Sequence, residues 1–189
     1  MAFELPEALP LEQFNFSAER TTSTGQQFLR FRLLPDTTAL LPVNQLAEIL
    51  TVPIGQIIPI PHMPASVLGV YNWRGEILWI IDLGYLIGLP PLHQQARNAS
   101  TYTAVVVHEN HATSGRQRTR SQMHNRKTLG LIVHHVEDME WCNPDLIQSP
   151  PASVVDPSLA PFLRGHLLND RAEISLVLEG EAIVQGFSN

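Results

Sequence analysis

Residues 67–83 read Val-Leu-Gly-Val-Tyr-Asn-Trp-Arg-Gly-Glu-Ile-Leu-Trp-Ile-Ile-Asp-Leu. Two apolar runs, Gly69–Trp73 and Glu76–Ile81, flank the dipeptide Arg74-Gly75. A two-residue connection with Gly is a hairpin signal, although Arg is not the usual first residue of a type I′ turn. Asp82 then stands where it can cap a short helix reaching Leu86. Gly88 lies just past the end of that helix, and Pro90-Pro91 blocks its continuation.

Working outward, the same grammar recurs. Leu29, Phe31 and Leu33 alternate with Arg30 and Arg32, which predicts a half-buried strand with its charges outward. Pro35-Asp36 is a turn, and Leu40-Leu41 a short second strand. Val43, Leu46, Ala47 and Leu50 fall at i, i+3, i+4 and i+7, which predicts a short helix opened by Pro42 and closed by Pro53. That phase turns Leu46, Ala47 and Leu50 inward and leaves Glu48 out. Pro59–Pro64 is irregular or polyproline-like. Later, Tyr102–His108 and Leu129–Val133 are expected partners, and Val136–Trp141 is a further strand. Asn143-Pro144 is an N-cap with a first-position proline. Pro150–Pro161 is a second Pro-rich loop. Gly165–Leu168 and Ile174–Leu178 form a last hairpin around Asn169-Asp170. The class is mostly β, a sandwich or barrel, with two similar units at about 28–92 and 101–178. Residues 1–26, with Pro6, Pro10 and Thr21–Gly25, lack a sustained period and are expected to be a flexible tail.

Composition narrows the function. The chain has 189 residues, 44% hydrophobic and 16% charged, against a usual ~25% charged. Disorder over most of the length is excluded. With 18 acids and 12 bases the net charge is −6, which disfavours a general nucleic-acid binder. One Cys excludes an intramolecular disulfide and a Cys-based zinc site. No apolar run approaches the ~20 residues that span a bilayer. The acidic start has no signal-peptide pattern, so a cytoplasmic protein is expected. Fifteen Pro imply many turns and few long helices.

Catalytic patterns are absent. There is no G-x-S-x-G, P-loop or G-x-G-x-x-G. Cys142, beside Trp141 and near Pro144, lacks the electropositive setting of a reactive thiolate. His108 and His111 have an i, i+3 spacing but no further ligands of a metalloprotease signature. His134 and His135, if on a strand, point to opposite faces and cannot share a metal. No metal or cofactor is expected. A metal-dependent enzyme built on the eight His is the rival reading. A second rival is a ligand-binding module using Arg116, Arg118, Arg120, Arg126 and Lys127 of the 111–127 loop. That loop has no aromatics for base stacking and reads as solvated.

Gly69, Asn72, Arg74, Gly75, Asp82 and Leu83 match G-x-x-N-x-R-G-x-hydrophobic-run-x-D-L. The chain therefore resembles the CheW family, the coupling proteins of bacterial chemosensory arrays. Phe28–Leu33, the Pro42–Leu50 segment with Glu48, Pro59–Pro64, Leu129–Val133 with Val136, and Leu163–Leu178 extend the resemblance over residues 27–185. The segment 109–127 is then an insertion. The tail, this insertion, Leu68 in place of a common basic residue, and the polar Glu173 and Ser175 depart from the pattern.

The resemblance implies two SH3-like five-stranded β-barrels packed on a shared core, with a few short helices. It implies an adaptor without catalysis, at the inner face of the membrane within receptor arrays. Its partners would be a CheA-like histidine kinase, through that kinase's CheW-like regulatory domain, and the cytoplasmic tip of a methyl-accepting receptor. The partner surface would involve Glu48, Leu46, Leu68, Asn72, Arg74 and Gly75. Gly69, Asp82, Gly130 and Gly165 would be structural. Arg74 at the hairpin tip is expected to pair with Glu48.

Overall fold

The computed structural model describes residues 8–9, 25–94, 99–109, 127–150, 155–168 and 173–187. Most of the expected tail and insertion, and the Asn169-Asp170 turn, lie outside these residues. The strands are β1 (Ala8–Leu9), β2 (Gln26–Leu34), β3 (Thr37–Pro42), β4 (Leu46–Pro53), β5 (Val67–Trp73) and β6 (Glu76–Asp82), followed by helix α1 (Leu83–Leu86). Then come β7 (Thr101–His108), β8 (Thr128–Val133), β9 (His135–Cys142), β10 (Leu163–Leu168), β11 (Ile174–Leu178) and helix α2 (Gly180–Gly186).

One sheet runs β1-β4-β7-β8-β6-β5 and the other β10-β11-β3-β2-β9. Each closes round its own apolar cluster. Leu50 and Val52 of β4, Tyr71 of β5, Leu78 and Ile80 of β6, Ala104 and Val106 of β7, and Ile132 of β8 meet in one. Phe28, Leu40, Leu167 and Val177 meet in the other, with Cys142 against them. Five strands of each sheet thus face one interior, which makes two small barrels. The alternate residues of the same strands, including Leu29, Phe31, Ile49, Ile81, Val105 and Leu131, form a shared core between the sheets. Period-two alternation on strands buried on both faces produces this double use.

The chain is a repeat with exchanged strands. Each half runs five strands and a helix: β2 to β6 with α1, then β7 to β11 with α2. In the first barrel β7 and β8, from the second half, pair with β4 and, in parallel, with β6. In the second, β2 and β3 pair with β9 and, in parallel, with β11. Neither half forms one sheet by itself.

One expectation is corrected. Pro42–Leu50 is not a helix: β3 ends at Pro42, a single 3-10 turn covers Val43–Gln45, and β4 follows. The pairing of β4 with β7 shifts register between Leu46 and Glu48. This bulge brings Leu46 and Ile49 into the shared core, while Leu50 and Val52 face the barrel interior. A bulged strand buried on both faces imitates helical spacing. His134 also differs, being the bend between β8 and β9 rather than a residue within a strand.

The charges of β2 face outward as expected. Arg30 Nε lies 2.9 Å from Glu137 Oε2, and Arg32 Nε pairs with the other carboxylate oxygen. The hydrogen bond from Arg32, then the charges of both arginines, hold the Glu137 carboxyl below its ordinary value of 4.5 against the opposing effect of burial. Its stabilising contribution is therefore fully present above that value and is lost as pH falls through the lowered one. In chemical denaturation across this acid range, wild type should lose more stability than Glu137→Gln. Parallel curves for the two would refute the coupling.

Candidate functional site

The hairpin 67–82 forms as its sequence predicts. β5 and β6 pair antiparallel, with Trp73 opposite Glu76. Arg74 has φ 55° and Gly75 φ 85°, so both turn residues are left-handed, as a type I′ turn requires. Gly75 takes that conformation without cost, whereas Arg74 does not. Asn72 helps hold the turn, because its Oδ1 accepts the Gly75 N–H at 2.9 Å.

The strained tip is tied down by Glu48. Arg74 donates to one oxygen of the Glu48 carboxylate, and the Trp73 indole N–H donates to the other. The Glu48 side chain is 8% exposed and that of Arg74 68% exposed. The Arg74 guanidinium also lies over the Trp73 ring, 5.4 Å from its centroid. The expected pair is present, but its architecture differs from the expectation. Glu48 sits on a strand and is buried, so it anchors the tip from behind rather than projecting beside it.

The other expected residues divide by burial. Asn72, Arg74 and Gly75 are exposed, and Leu68 is half-buried against the first barrel's interior. Leu46 is 7% exposed in the shared core. It can seat β4 but does not line a surface. Two residues at the tip escaped the sequence reading. Trp73 provides the second donor to Glu48, and Ile77, opposite Asn72, is 74% exposed. Alternation places Ile77, just before Leu78, on the face opposite the barrel interior, and at the hairpin tip that face runs past the shared core that takes Trp79 and Ile81.

The signature residues behind the tip occupy crowded or buried positions. Gly69 has φ 146°, and a Cβ there would lie 2.2 Å from the Ile58 carbonyl oxygen. Ile58 and Val70 exchange two backbone hydrogen bonds of 2.9 Å, so the Pro-rich segment is laced onto β5 at this glycine. Gly165 has the matching place on β10, where a Cβ would meet Gln148 O at 2.7 Å. At Gly130 a Cβ would meet Ile80 Cδ1 at 2.8 Å inside the first barrel. Asp82 is 2% exposed. Its Oδ1 caps α1 by accepting from Tyr85 N at 3.0 Å, and its Oδ2 accepts from Leu92 N at 2.8 Å.

No metal-holding group of three or more His, Cys, Asp or Glu occurs among the described residues. Among the same residues no helix is long and apolar enough to cross a membrane. Burial, and then the Glu140 carboxylate, push the Cys142 thiol up to about 12. At pH 8 its thiolate fraction is then about 10⁻⁴, against roughly a quarter for an ordinary thiol. Alkylation by iodoacetamide should be on the order of a hundredfold or more slower in the folded protein than after unfolding. Equal rates would show that Cys142 is open and ionised. His111 and the arginines of the 111–127 loop fall outside the described residues, and Lys127 is exposed.

Comparison with known proteins agrees with this geometry. A family model described as "CheW-like domain" matches residues 27–187. A "Probable chemotaxis protein CheW" from Rhizobium etli is 32% identical over 117 residues, 62% of this chain. The match spans 63% of that relative's length. The crystal structure of the scaffolding protein TtCheW from Thermoanaerobacter tengcongensis superposes with a TM-score of 0.61 at 20% identity. That superposition covers 82% of this chain and 89% of the other, and establishes the likeness of fold. With a family match running from the first long strand to the end of α2, this chain belongs to the CheW-like domain family.

Proposed function

We propose that the chain is a non-catalytic adaptor of a bacterial chemosensory system. It couples methyl-accepting receptors to a CheA-like histidine kinase, whose own CheW-like regulatory domain it binds. It works in the cytoplasm, at the inner face of the membrane within receptor arrays. The names of the matched proteins, a probable chemotaxis protein and a scaffolding protein, support this reading.

The observation that carries it is the Arg74 tip. An exposed cation, an exposed Ile77 and an exposed Asn72 stand together on a turn made rigid by buried Glu48 and Trp73. A preorganised arginine beside an apolar side chain suits a protein-binding hot spot. Among the described residues no nucleophile–base pair adjoins it.

Binding of the receptor tip and of the kinase regulatory domain should be measured separately for Arg74→Ala, Glu48→Ala and the double variant. Arg74→Ala is expected to keep the fold but to cost about 1–3 kcal/mol, because the buried Glu48 carboxylate loses one of its two donors. It should weaken at least one partner about tenfold, ~1.4 kcal/mol. Arg74→Lys should rescue only in part, because an ammonium lacks the planar fork. Full binding of both partners by Arg74→Ala would remove the functional role. Additive losses in the double variant would show that the two side chains act independently.

A further inference from the structure

The Glu48 carboxylate divides its two oxygens between two donors. The Trp73 indole N–H takes Oε1, and Arg74 Nη2 takes Oε2. An arginine alone with a carboxylate favours a fork of two parallel N–H···O bonds, which uses both oxygens. Here the indole already holds one of them. Arg74 therefore meets Glu48 by one end, and with 68% of its side chain exposed its other N–H groups stay at the surface. Glu137 shows the same division, since each of its oxygens faces a different arginine.

Two parts of one side chain thus act on Arg74. The ring face attracts the guanidinium, 5.4 Å from its centroid. The N–H denies it the second oxygen of Glu48. Without that N–H, an oxygen of a carboxylate only 8% exposed would lack its donor. A buried acceptor takes the nearest donor it can reach, and that donor is the same guanidinium. The pattern G-x-x-N-x-R-G leaves the position before the arginine open, and Trp73 fills it in this chain.

We infer that Trp73 is the positioning residue of the tip: its indole N–H keeps Arg74 from folding back onto Glu48 as a fork, and so leaves guanidinium N–H groups presented for an accepting oxygen of the partner. A donor fixed in this way binds without first being ordered. That a partner reads these groups rests on the adaptor reading. The orientation of Arg74 rests on the tip alone. A residue without an N–H at position 73 would retract the arginine while Arg74 and Glu48 both stayed in place.

The test is NMR of the arginine and indole side-chain N–H groups, on wild type and on Trp73→Phe, which keeps a ring and removes the donor. In wild type the Trp73 indole N–H should exchange with solvent about tenfold or more slower than that of Trp141, a residue 65% exposed. In Trp73→Phe, rotation about the Arg74 Nε–Cζ bond should slow about fivefold, the factor expected of one added hydrogen bond. Trp73→Phe should also weaken whichever partner Arg74→Ala weakens, by about tenfold. A rotation rate equal to wild type would overturn the inference. So would an indole N–H that exchanges as fast as that of Trp141, a result that needs no variant to fold. Neither readout involves a partner, so both stand if the adaptor reading fails. Slowed rotation with wild-type binding by Trp73→Phe, where Arg74→Ala does lose a partner, would overturn the role given to the indole.

Discussion

Gly69→Ala is expected to lower folding stability by about 3 kcal/mol or more, near the upper end for a single substitution. Two independent costs add at this position. The backbone has φ 146°, which L side chains rarely adopt, and the new Cβ would sit 2.2 Å from the Ile58 carbonyl oxygen. That oxygen cannot simply move away, because it accepts the Val70 N–H at 2.9 Å. Relief requires unlacing the Pro-rich segment from β5, and with it the register shift between Val67 and Gly69. Denaturant titration should show a lower midpoint with an unchanged slope. A change below about 0.5 kcal/mol, within the range of an ordinary surface substitution, would mean that the crossing is not held as described.

Asp82→Ala should cost about 3 kcal/mol, since two backbone donors in a part-buried to buried setting lose their acceptor. The carboxylate joins the Tyr85 N–H of α1 to the Leu92 N–H of the segment beyond it. It thereby fixes the link that leads from the first half to the second. Asp82→Asn keeps one carbonyl oxygen but sets an NH2 against the other donor, so it should recover less than half of the loss. Full recovery by Asn would show that only one of the two bonds matters. Hydrogen exchange at Tyr85 and Leu92 would read the same effect locally, as faster exchange at both amides.

The central hairpin is legible in the sequence because every level agrees there: apolar runs, a turn glycine, and an aspartate at the cap. The pair of Arg74 with Glu48 is legible as a contact but not as a geometry. Glu48 reads as a helix-surface residue because Val43, Leu46, Ala47 and Leu50 fit one helical face, whereas the bulged strand divides them between the shared core and the barrel interior. The β-branched Ile49, Thr51 and Val52 were the local sign of a strand. A comparison with β9, its repeat counterpart, would have strengthened it. Helix α2 escaped notice because Gly180 and Gly186 frame only a few helix-forming residues. The exchange of β2-β3 and β7-β8 between barrels leaves no mark in local pattern, since alternation says which residues are buried and not which strand lies beside them.

The central claim is coupling without catalysis. Its most direct test is phosphorylation of a CheA-like kinase in receptor-containing membranes, with and without this protein. Kinase activity should rise, and come under receptor control, only when the protein is added. Arg74→Ala should weaken both effects while still melting cooperatively, and the protein alone should neither hydrolyse ATP nor transfer phosphate. Kinase activity that is the same in its presence and absence would contradict the account.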